Sequence, residues 1–257
     1  MDSLASDVLS GRAAAVARAI SIAGNSGAAA QRLRAALKSA PERSPEKSAA
    51  HRIGITGPPG AGKSTLIGGL VRLLRSRGEK VGVVACDPAS PVTGGAFLGD
   101  RMRMLEACGD DPEVFIRSLA ARGPGADLPD AAIAAAEVLE AAGFGRIIIE
   151  TPGSGQCDTG LGEAADTVVV VLAPDAGDEF QTMKAGILET ADVLVVNRAD
   201  RPGCEFLVRA LEQEVAARAR ANETEVISTI ATRGEGLDVL LAAIERHRDR
   251  SKSEAGA

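Results

Sequence analysis

Short, unbroken apolar runs alternate with longer amphipathic stretches along most of this chain. Seven such runs lie between turn residues: RIGIT (52–56), KVGVVAC (80–86), EVFIRS (113–118), RIIIE (146–150), TVVVVLA (167–173), DVLVVN (192–197) and EVIST (225–229). Between most of them, apolar residues recur at helical spacing, as in LIGGLVRLLRSRG and DAAIAAAEVLEAAG. Continuous apolar runs interleaved with helices are typical of strands that are buried on both faces of a parallel sheet. The pattern therefore predicts an α/β fold with a doubly wound, mostly parallel sheet.

The two ends of the chain have a different pattern. Residues 1–40 show helical spacing interrupted by GNSG, which predicts an N-terminal helical hairpin. Residues 41–50 are mostly polar, contain two prolines and are predicted to be a linker. The main domain is placed at 51–249, and the polar residues 250–257 are predicted to be a flexible tail.

Composition narrows the class of protein. With 257 residues and 45% hydrophobic content, the chain can bury the core of one main globular unit. The net charge of −6 argues against a nucleic-acid partner. No apolar run reaches the roughly 18 residues that span a bilayer, so no membrane contact is expected. The four cysteines form no C-x-x-C pair, which argues against a disulfide framework or a zinc site and favours a reducing cytoplasm.

The segment GPPGAGKST (57–65) follows the first predicted strand and opens a predicted helix. It matches G-x-x-x-x-G-K-[ST], in which glycines let backbone N–H groups turn inward toward a β-phosphate at a helix N-terminus. Lys63 would reach the β- and γ-phosphate oxygens, and Ser64 would bind Mg²⁺ through its hydroxyl. The alternative is a glycine-rich turn with a chance Lys-Ser pair. The predicted phosphate-binding residues are Gly57, Pro58, Pro59, Gly60, Ala61, Gly62, Lys63, Ser64 and Thr65.

The sixth run ends in VVNRAD (195–200), which resembles the guanine-reading Asn-Lys-x-Asp motif of GTPases. Asp200 would accept hydrogen bonds from the guanine edge, and Asn197 would tie this loop to the phosphate loop. Arg198 stands where the motif has Lys, an exchange that changes the hydrogen-bonding geometry. An Asn and an Asp at this spacing also occur in ordinary turns. Together with the phosphate loop, the motif favours GTP and GDP as ligands.

Two further segments resemble one family. DPASPVTGGAFLGDRMRM (87–104) and DAGDEFQTMKAGILETADVLVVNRAD (175–200) are similar to segments of the MeaB/ArgK group of P-loop GTPases. Members of that group are chaperones of adenosylcobalamin-dependent acyl-CoA mutases such as methylmalonyl-CoA mutase. The resemblance extends over roughly residues 10–249 and implies GTP/GDP and Mg²⁺ as cofactors and such a mutase as partner.

The resemblance also implies roles for individual residues. The implied catalytic residues are Lys63, Asp87, Asp100, Glu150 and Gly153, and the implied metal ligands are Ser64, Asp87, Asp100 and Glu150. Asp87 also has the character of a turn opener before Pro88, and Asp100 could instead cap a helix. Asp178, Glu179, Gln181 and Lys184 correspond to a segment that communicates with the mutase, or are simply the solvated first turns of a helix.

Several positions depart from the family pattern. The loop ETPGSGQCD (150–158) has Pro152 and Ser154 where the family has valines, which predicts a stiffer loop that retains both glycines. Cys157 suggests nickel binding, but no histidine lies near it in sequence. The base-contacting Ser-Gly of the family is replaced around Ile230 and Ala231. The chain ends soon after Arg250, before the family's dimer-supporting arm, which leaves homodimerisation open.

The leading hypothesis is a Mg²⁺-dependent GTPase that acts as a mutase chaperone and gates cofactor loading or protection. Slow turnover is expected without a partner, because no arginine finger can be assigned beyond the loop candidates Arg101, Arg103 and Arg122. Two alternatives remain open: a small-molecule kinase that uses the same phosphate loop, and a nucleotide-binding regulatory module with little hydrolysis.

Overall fold

A seven-stranded sheet lies at the centre of the protein. The computed structural model describes residues 2–25, 27–39, 50–88, 111–121, 128–151, 160–175, 188–217 and 224–255. The strands are β1 (His51–Thr56), β2 (Val81–Pro88), β3 (Val114–Ala121), β4 (Arg146–Glu150), β5 (Thr167–Leu172), β6 (Val193–Asn197) and β7 (Glu225–Thr229). Their order across the sheet is β3-β2-β4-β1-β5-β6-β7, and every neighbouring pair is parallel. The predicted α/β class and doubly wound sheet are confirmed, and each apolar run became one strand.

Helices cover both faces of the sheet. They are α1 (Asp2–Leu9), α2 (Ala13–Ala23), α3 (Ala28–Lys38), α4 (Lys63–Ser76), α5 (Leu128–Ala141), α6 (Leu161–Ala164), α7 (Cys204–Ala216) and α8 (Leu237–Ala255), with a 3₁₀ turn at Leu188–Thr190. One hydrophobic cluster joins α1–α3 and α5–α7 to one face, and a second joins α4 and α8 to the other. Successive residues of a strand enter different clusters, as Ile147 and Ile148 do, because side chains alternate across a sheet.

The N-terminal region contains three helices rather than two. α2 and α3 form the predicted pair on either side of the GNSG turn, and α1 precedes them. Val16, Ile20 and Leu33 are fully buried, in the same cluster as α5 and the strands. These helices therefore share the core of the main domain, which the sequence pattern did not indicate.

The boundary predicted at residue 249 is too early. α8 continues through 250–255, where a flexible tail was predicted. Arg246 and Arg250 of this helix pair with Glu225 of β7, at 2.6 Å and 4.0 Å. A polar composition does not end a helix whose side chains find partners or face water, and the chain has no Gly or Pro between 237 and 255.

No helix in the described ranges is long and apolar enough to cross a lipid bilayer.

A chain of hydrogen bonds lies at the amino ends of the central strands. Arg146 Nη1 is 3.1 Å from His51 Nδ1, and because Arg only donates, this nitrogen must accept. His51 Nε2–H then donates to Thr167 Oγ1 at 2.9 Å, and the Thr167 hydroxyl donates to His247 Nδ1 at 2.9 Å. His247 Nε2 lies 3.2 Å from Asp192 Oδ1. The arrangement requires a neutral His51.

Acid should weaken the folded state through His51. Burial, and the charge of Arg146 next, lower the pKa of His51 to about 3, against about 6.5 in an unfolded chain. Between pH 6.5 and pH 3, His51 is therefore protonated in the unfolded state but neutral in the folded state. The contribution of His51 to stability is complete above pH 6.5 and is lost as the pH falls toward 3. Linkage predicts a loss of roughly 1–2 kcal/mol of unfolding free energy between pH 6.5 and pH 5 from this residue.

Urea unfolding at these two pH values measures the effect. His51→Gln keeps a polar side chain at this position but does not titrate, so its unfolding free energy should fall less over the same interval. Equal falls in the two proteins would contradict the assignment.

Candidate functional site

The glycine-rich loop lies between β1 and α4, at the carboxyl edge of the sheet. In doubly wound sheets, ligands bind at this edge. Gly57 and Gly62 have φ values of 141° and 91°, in the region that favours glycine. A Cβ at Gly57 would collide with the carbonyl oxygen of Val171, and a Cβ at Gly62 would collide with the Asn197 side chain. The loop therefore requires glycine for both backbone conformation and close packing.

Lys63 lies at the first position of α4 and is 8% exposed. Its Nζ donates to the carbonyl oxygens of Gly57 at 2.7 Å and Pro58 at 3.2 Å. The loop thus wraps around a buried ammonium group at the positive end of a helix. This combination of a cation, backbone N–H groups and a helix N-terminus is suited to binding phosphate oxygens.

Ser64 and Glu150 meet beside the loop. Glu150 is the last residue of β4, pairs with Ile55 of β1, and is 6% exposed. The Ser64 hydroxyl donates to Glu150 Oε1 at 3.1 Å. A hydroxyl and a carboxylate are hard oxygen donors of the kind that Mg²⁺ prefers, usually with water and phosphate oxygens completing its shell. The pair therefore fits a magnesium ion at the phosphate loop.

The position of the Asp87 backbone is compatible with this pair. Ala85 of β2 lies opposite Glu150 of β4, and Asp87 follows two residues later in the same strand. The backbone of Asp87 is thus near the carboxyl edge of the sheet; its side chain is not among those that the structure describes. Within the described ranges, no three His, Cys, Asp or Glu side chains form a group that could hold a metal.

Asn197 connects three loops. It is the last residue of β6 and is 3% exposed. Its Nδ2 donates to the Ala61 carbonyl oxygen at 2.9 Å, while its Oδ1 accepts from Thr229 Oγ1 at 3.2 Å and from the Ala231 N–H at 3.1 Å. The structure thus joins this loop to the phosphate loop, as the sequence motif predicts. The contact also anchors the segment around Ala231.

Arg198 reaches over the phosphate loop from the neighbouring position. Its backbone has a φ of 57°, which is uncommon for a residue with a side chain. Nη2 donates to the Gly60 carbonyl oxygen at 2.6 Å, and Nη1 donates to Asp175 Oδ2 at 2.6 Å. The pKa of Asp175 is lowered by a hydrogen bond from its own backbone N–H and by the charge of Arg198.

Asp200, the predicted base-reading residue, faces Arg233 at 3.6 Å. Both side chains are well exposed, at 39% and 59%. Sequence reasoning identified neither Arg233 nor Asp175 as part of the site. Asp175 carried a usable signal, since it is an acidic residue close to the carboxyl end of a predicted strand. Arg233 carried none, because its partner lies on a different loop.

Several residues singled out in the sequence lie outside the part of the chain that the structure describes. They are Asp100, Arg101, Arg103, Arg122, Pro152, Gly153, Ser154, Cys157, Asp178, Glu179, Gln181 and Lys184. The structure brings Glu150, Asn197 and Arg198 into contact with the phosphate loop or with Ser64 at its end, and Asp200 follows three residues after Asn197. The roles assigned to these residues stay predictions.

Comparison with known proteins identifies the family. A family model described as "Methylmalonyl Co-A mutase-associated GTPase MeaB" matches residues 16–257. The chain belongs to the MeaB family. A Pyrococcus horikoshii protein that is named as a GTPase is 46% identical over 204 residues, which are 77% of this chain and 64% of that protein. The mitochondrial methylmalonic aciduria type A homolog of Caenorhabditis briggsae is 35% identical over 207 residues, which are 80% of this chain and 47% of that protein. This chain thus spans less than two thirds of the length of these relatives.

Solved structures share the fold. A LAO/AO transport system kinase matches with a TM-score of 0.73 and 23% identity, over 98% of this chain and 80% of that protein. HypB from Helicobacter pylori in complex with nickel matches with a TM-score of 0.56 and 16% identity, over 79% of this chain and 89% of that protein. At these identities the likeness shows a P-loop NTPase fold, and the words kinase and nickel describe those proteins.

Proposed function

We propose that this MeaB family chain binds GTP with Mg²⁺, hydrolyses it to GDP and phosphate, and acts as a chaperone of an adenosylcobalamin-dependent acyl-CoA mutase. The observation that carries the proposal is the Asn197 hydrogen bond to Ala61, which joins a guanine-type motif to a phosphate loop. A nucleotide that spans the two loops would thus meet a base reader and a phosphate cradle that this hydrogen bond holds together.

The phosphate end is supported by the loop itself. Lys63 offers an ammonium group beside the loop's backbone N–H groups, and Ser64 and Glu150 offer oxygen ligands for the metal. When bound, Mg²⁺ would neutralise negative charge on the β- and γ-phosphate oxygens. Lys63 would bind the same oxygens, and Ser64 and Glu150 would hold the ion in register with the loop.

The base end depends on Asp200. A carboxylate accepts two hydrogen bonds from the N–H groups along the guanine edge, and adenine does not present the same pair of donors. The present partner of Asp200, Arg233, is 3.6 Å away in an exposed setting. Exposed ion pairs of this kind contribute about 0–1 kcal/mol, so a base could replace Arg233 at small cost.

The partner is inferred from the family. The family model names an association with methylmalonyl-CoA mutase, and the Caenorhabditis relative is named for methylmalonic aciduria. We expect slow turnover by the chain alone and faster turnover with the mutase, because a partner can supply the group that stabilises the transition state. Hydrolysis would then gate the loading or protection of the mutase cofactor.

Two measurements test the proposal. Titration with GDP and with ADP should show tighter binding of GDP, and GTP turnover should change when a candidate mutase is added. Equal affinity for the two nucleotides would refute the guanine assignment. Nucleotide consumption that depends on an added small-molecule acceptor would favour the kinase alternative, and bound GTP that persists for hours in a single-turnover assay would favour the regulatory module.

Asp200→Asn should relax the choice of base. The amide loses one acceptor and presents a donor to the guanine edge, so we expect GDP affinity to fall by about tenfold while ADP affinity changes little. Parallel titrations of the wild type and the variant measure this ratio. Glu235→Gln, a matched change of an exposed acid near Arg233, should leave it unaltered. Equal losses for GDP and ADP would show that Asp200 does not read the base.

A further inference from the structure

The last residue of β6 and the residue after it donate hydrogen bonds to two consecutive carbonyl groups of the phosphate loop. Asn197 donates to the carbonyl oxygen of Ala61 at 2.9 Å, and Arg198 donates to that of Gly60 at 2.6 Å. Both carbonyl groups thus point toward the loop that follows β6.

This arrangement determines the direction of the next two N–H groups. A trans peptide is planar, so the N–H of a residue points opposite to the carbonyl of the residue before it. The N–H groups of Ala61 and Gly62 therefore point away from Asn197 and Arg198. The Ala61 N–H reaches back across the loop to the Pro58 carbonyl oxygen, 3.2 Å away. The same carbonyl oxygen accepts from Lys63 Nζ at 3.2 Å, so the Ala61 N–H lies on the side of the loop that faces the Lys63 ammonium group, where a phosphate would be bound.

The two side chains that hold the carbonyls are secured differently. Asn197 is buried and is fixed by Thr229 and Ala231. Arg198 has a long side chain that is 38% exposed, and ordering such a side chain costs up to about 2 kcal/mol of rotamer entropy. Its second hydrogen bond, from Nη1 to Asp175 Oδ2 at 2.6 Å, restricts that freedom.

The chemistry of Arg198 suits this double contact. A guanidinium group presents several N–H donors in one plane, so it can bind a carbonyl and a carboxylate at once, whereas an ammonium group is a single point donor on a flexible stem. Arg in place of the usual Lys thus matches the presence of an acid at 175. Asp175 lies three residues after the end of β5 and accepts from the same guanidinium group that holds the Gly60 carbonyl.

We propose that Asp175 is a positioning residue of the nucleotide site, which acts through Arg198 to hold the Gly60 carbonyl outward and the Ala61 N–H toward the β-phosphate. This inference rests on the proposed nucleotide binding and adds a residue to that site. The pair is exposed, so its removal should change nucleotide binding more than folding.

The test compares GDP with GMP, which lacks the β-phosphate. Asp175→Ala should weaken GDP binding by about three- to tenfold and GMP binding by less than about twofold, with no change in melting temperature. Asp175→Asn should restore most of the GDP affinity, because its amide oxygen can still accept from Arg198. In an Arg198→Ala background, Asp175→Ala should have no further effect.

Asp7→Ala is the matched control, since it removes another exposed Asp–Arg pair, to Arg12 at 2.8 Å, in the N-terminal helices. It should leave both affinities unchanged. Asp175→Ala with wild-type GDP affinity, or with equal losses for GDP and GMP, would overturn the positioning role while leaving the proposed function intact. A wild-type chain that binds no guanine nucleotide would instead overturn the proposed function.

Discussion

Lys63→Met is expected to lower GTP turnover by about two to three orders of magnitude, the usual cost of removing one group that stabilises transition-state charge. The Met side chain approximates the length of Lys63 but lacks the ammonium group, which here is buried among the carbonyls of Gly57 and Pro58. Negative charge on the transferring phosphoryl group would then lose its nearest fixed cation. Single-turnover hydrolysis of GTP with excess protein measures the effect separately from nucleotide affinity.

Folding should survive this change. Lys63 is 8% exposed, and removal of a buried charge also removes its desolvation cost. Arg72→Met removes a positive charge from an exposed position of the same helix and serves as the control. We expect its turnover to match that of the wild type. Turnover by Lys63→Met within about threefold of that control would show that the loop does not bind a reacting phosphate.

Asn197→Ala should destabilise the folded protein by about 2–4 kcal/mol and also weaken GDP binding, because buried groups that lose a hydrogen-bond partner cost about 1–3 kcal/mol each. In the wild type, three groups form hydrogen bonds with the Asn197 side chain, and all three lose this partner in the variant: the Ala61 carbonyl, the Thr229 hydroxyl and the Ala231 N–H. Chemical unfolding with and without GDP measures both consequences.

Thr229→Val provides a graded comparison for Asn197. It keeps a similar shape and removes one of the three hydrogen bonds, and we expect a loss of about 1 kcal/mol, with GDP affinity nearly unchanged. The expected order of stability is therefore wild type, Thr229→Val, then Asn197→Ala. If the Asn197→Ala protein is as stable as the Thr229→Val protein, water must replace the hydrogen bonds of Asn197. The Asn197 side chain then does not hold its loop to the phosphate loop.

The sheet could be predicted from sequence because each strand carries its own signal. A strand such as β4, whose five residues are all buried, is apolar through its middle, at Ile147, Ile148 and Ile149, and polar only at its two ends, and this pattern is local. The phosphate loop is local as well, since the need for Gly57 and Gly62 comes from the backbone of one tight turn.

Elements that depend on distant partners were missed or misplaced. α1 is an eight-residue helix in which, among residues 3–9 whose burial the structure describes, Ala5 and Val8 are buried, so it gains its stability from packing on other helices rather than from its own sequence. The end of α8 was placed too early because its polar residues find Glu225 on β7. Neither contact leaves a pattern in the neighbouring sequence.

By itself, the sequence determined the strands, the phosphate loop and the identity of the candidate base-reading residues, since these follow from periodicity and from motifs within a few neighbouring residues. Only the tertiary structure decided that Ser64 meets Glu150, which carbonyl groups of the phosphate loop Asn197 and Arg198 hold, and that Asp175 secures Arg198. These contacts join loops that are far apart in the chain. They exist because parallel strands bring their carboxyl ends to one edge of the sheet, and no local pattern records which loops meet there.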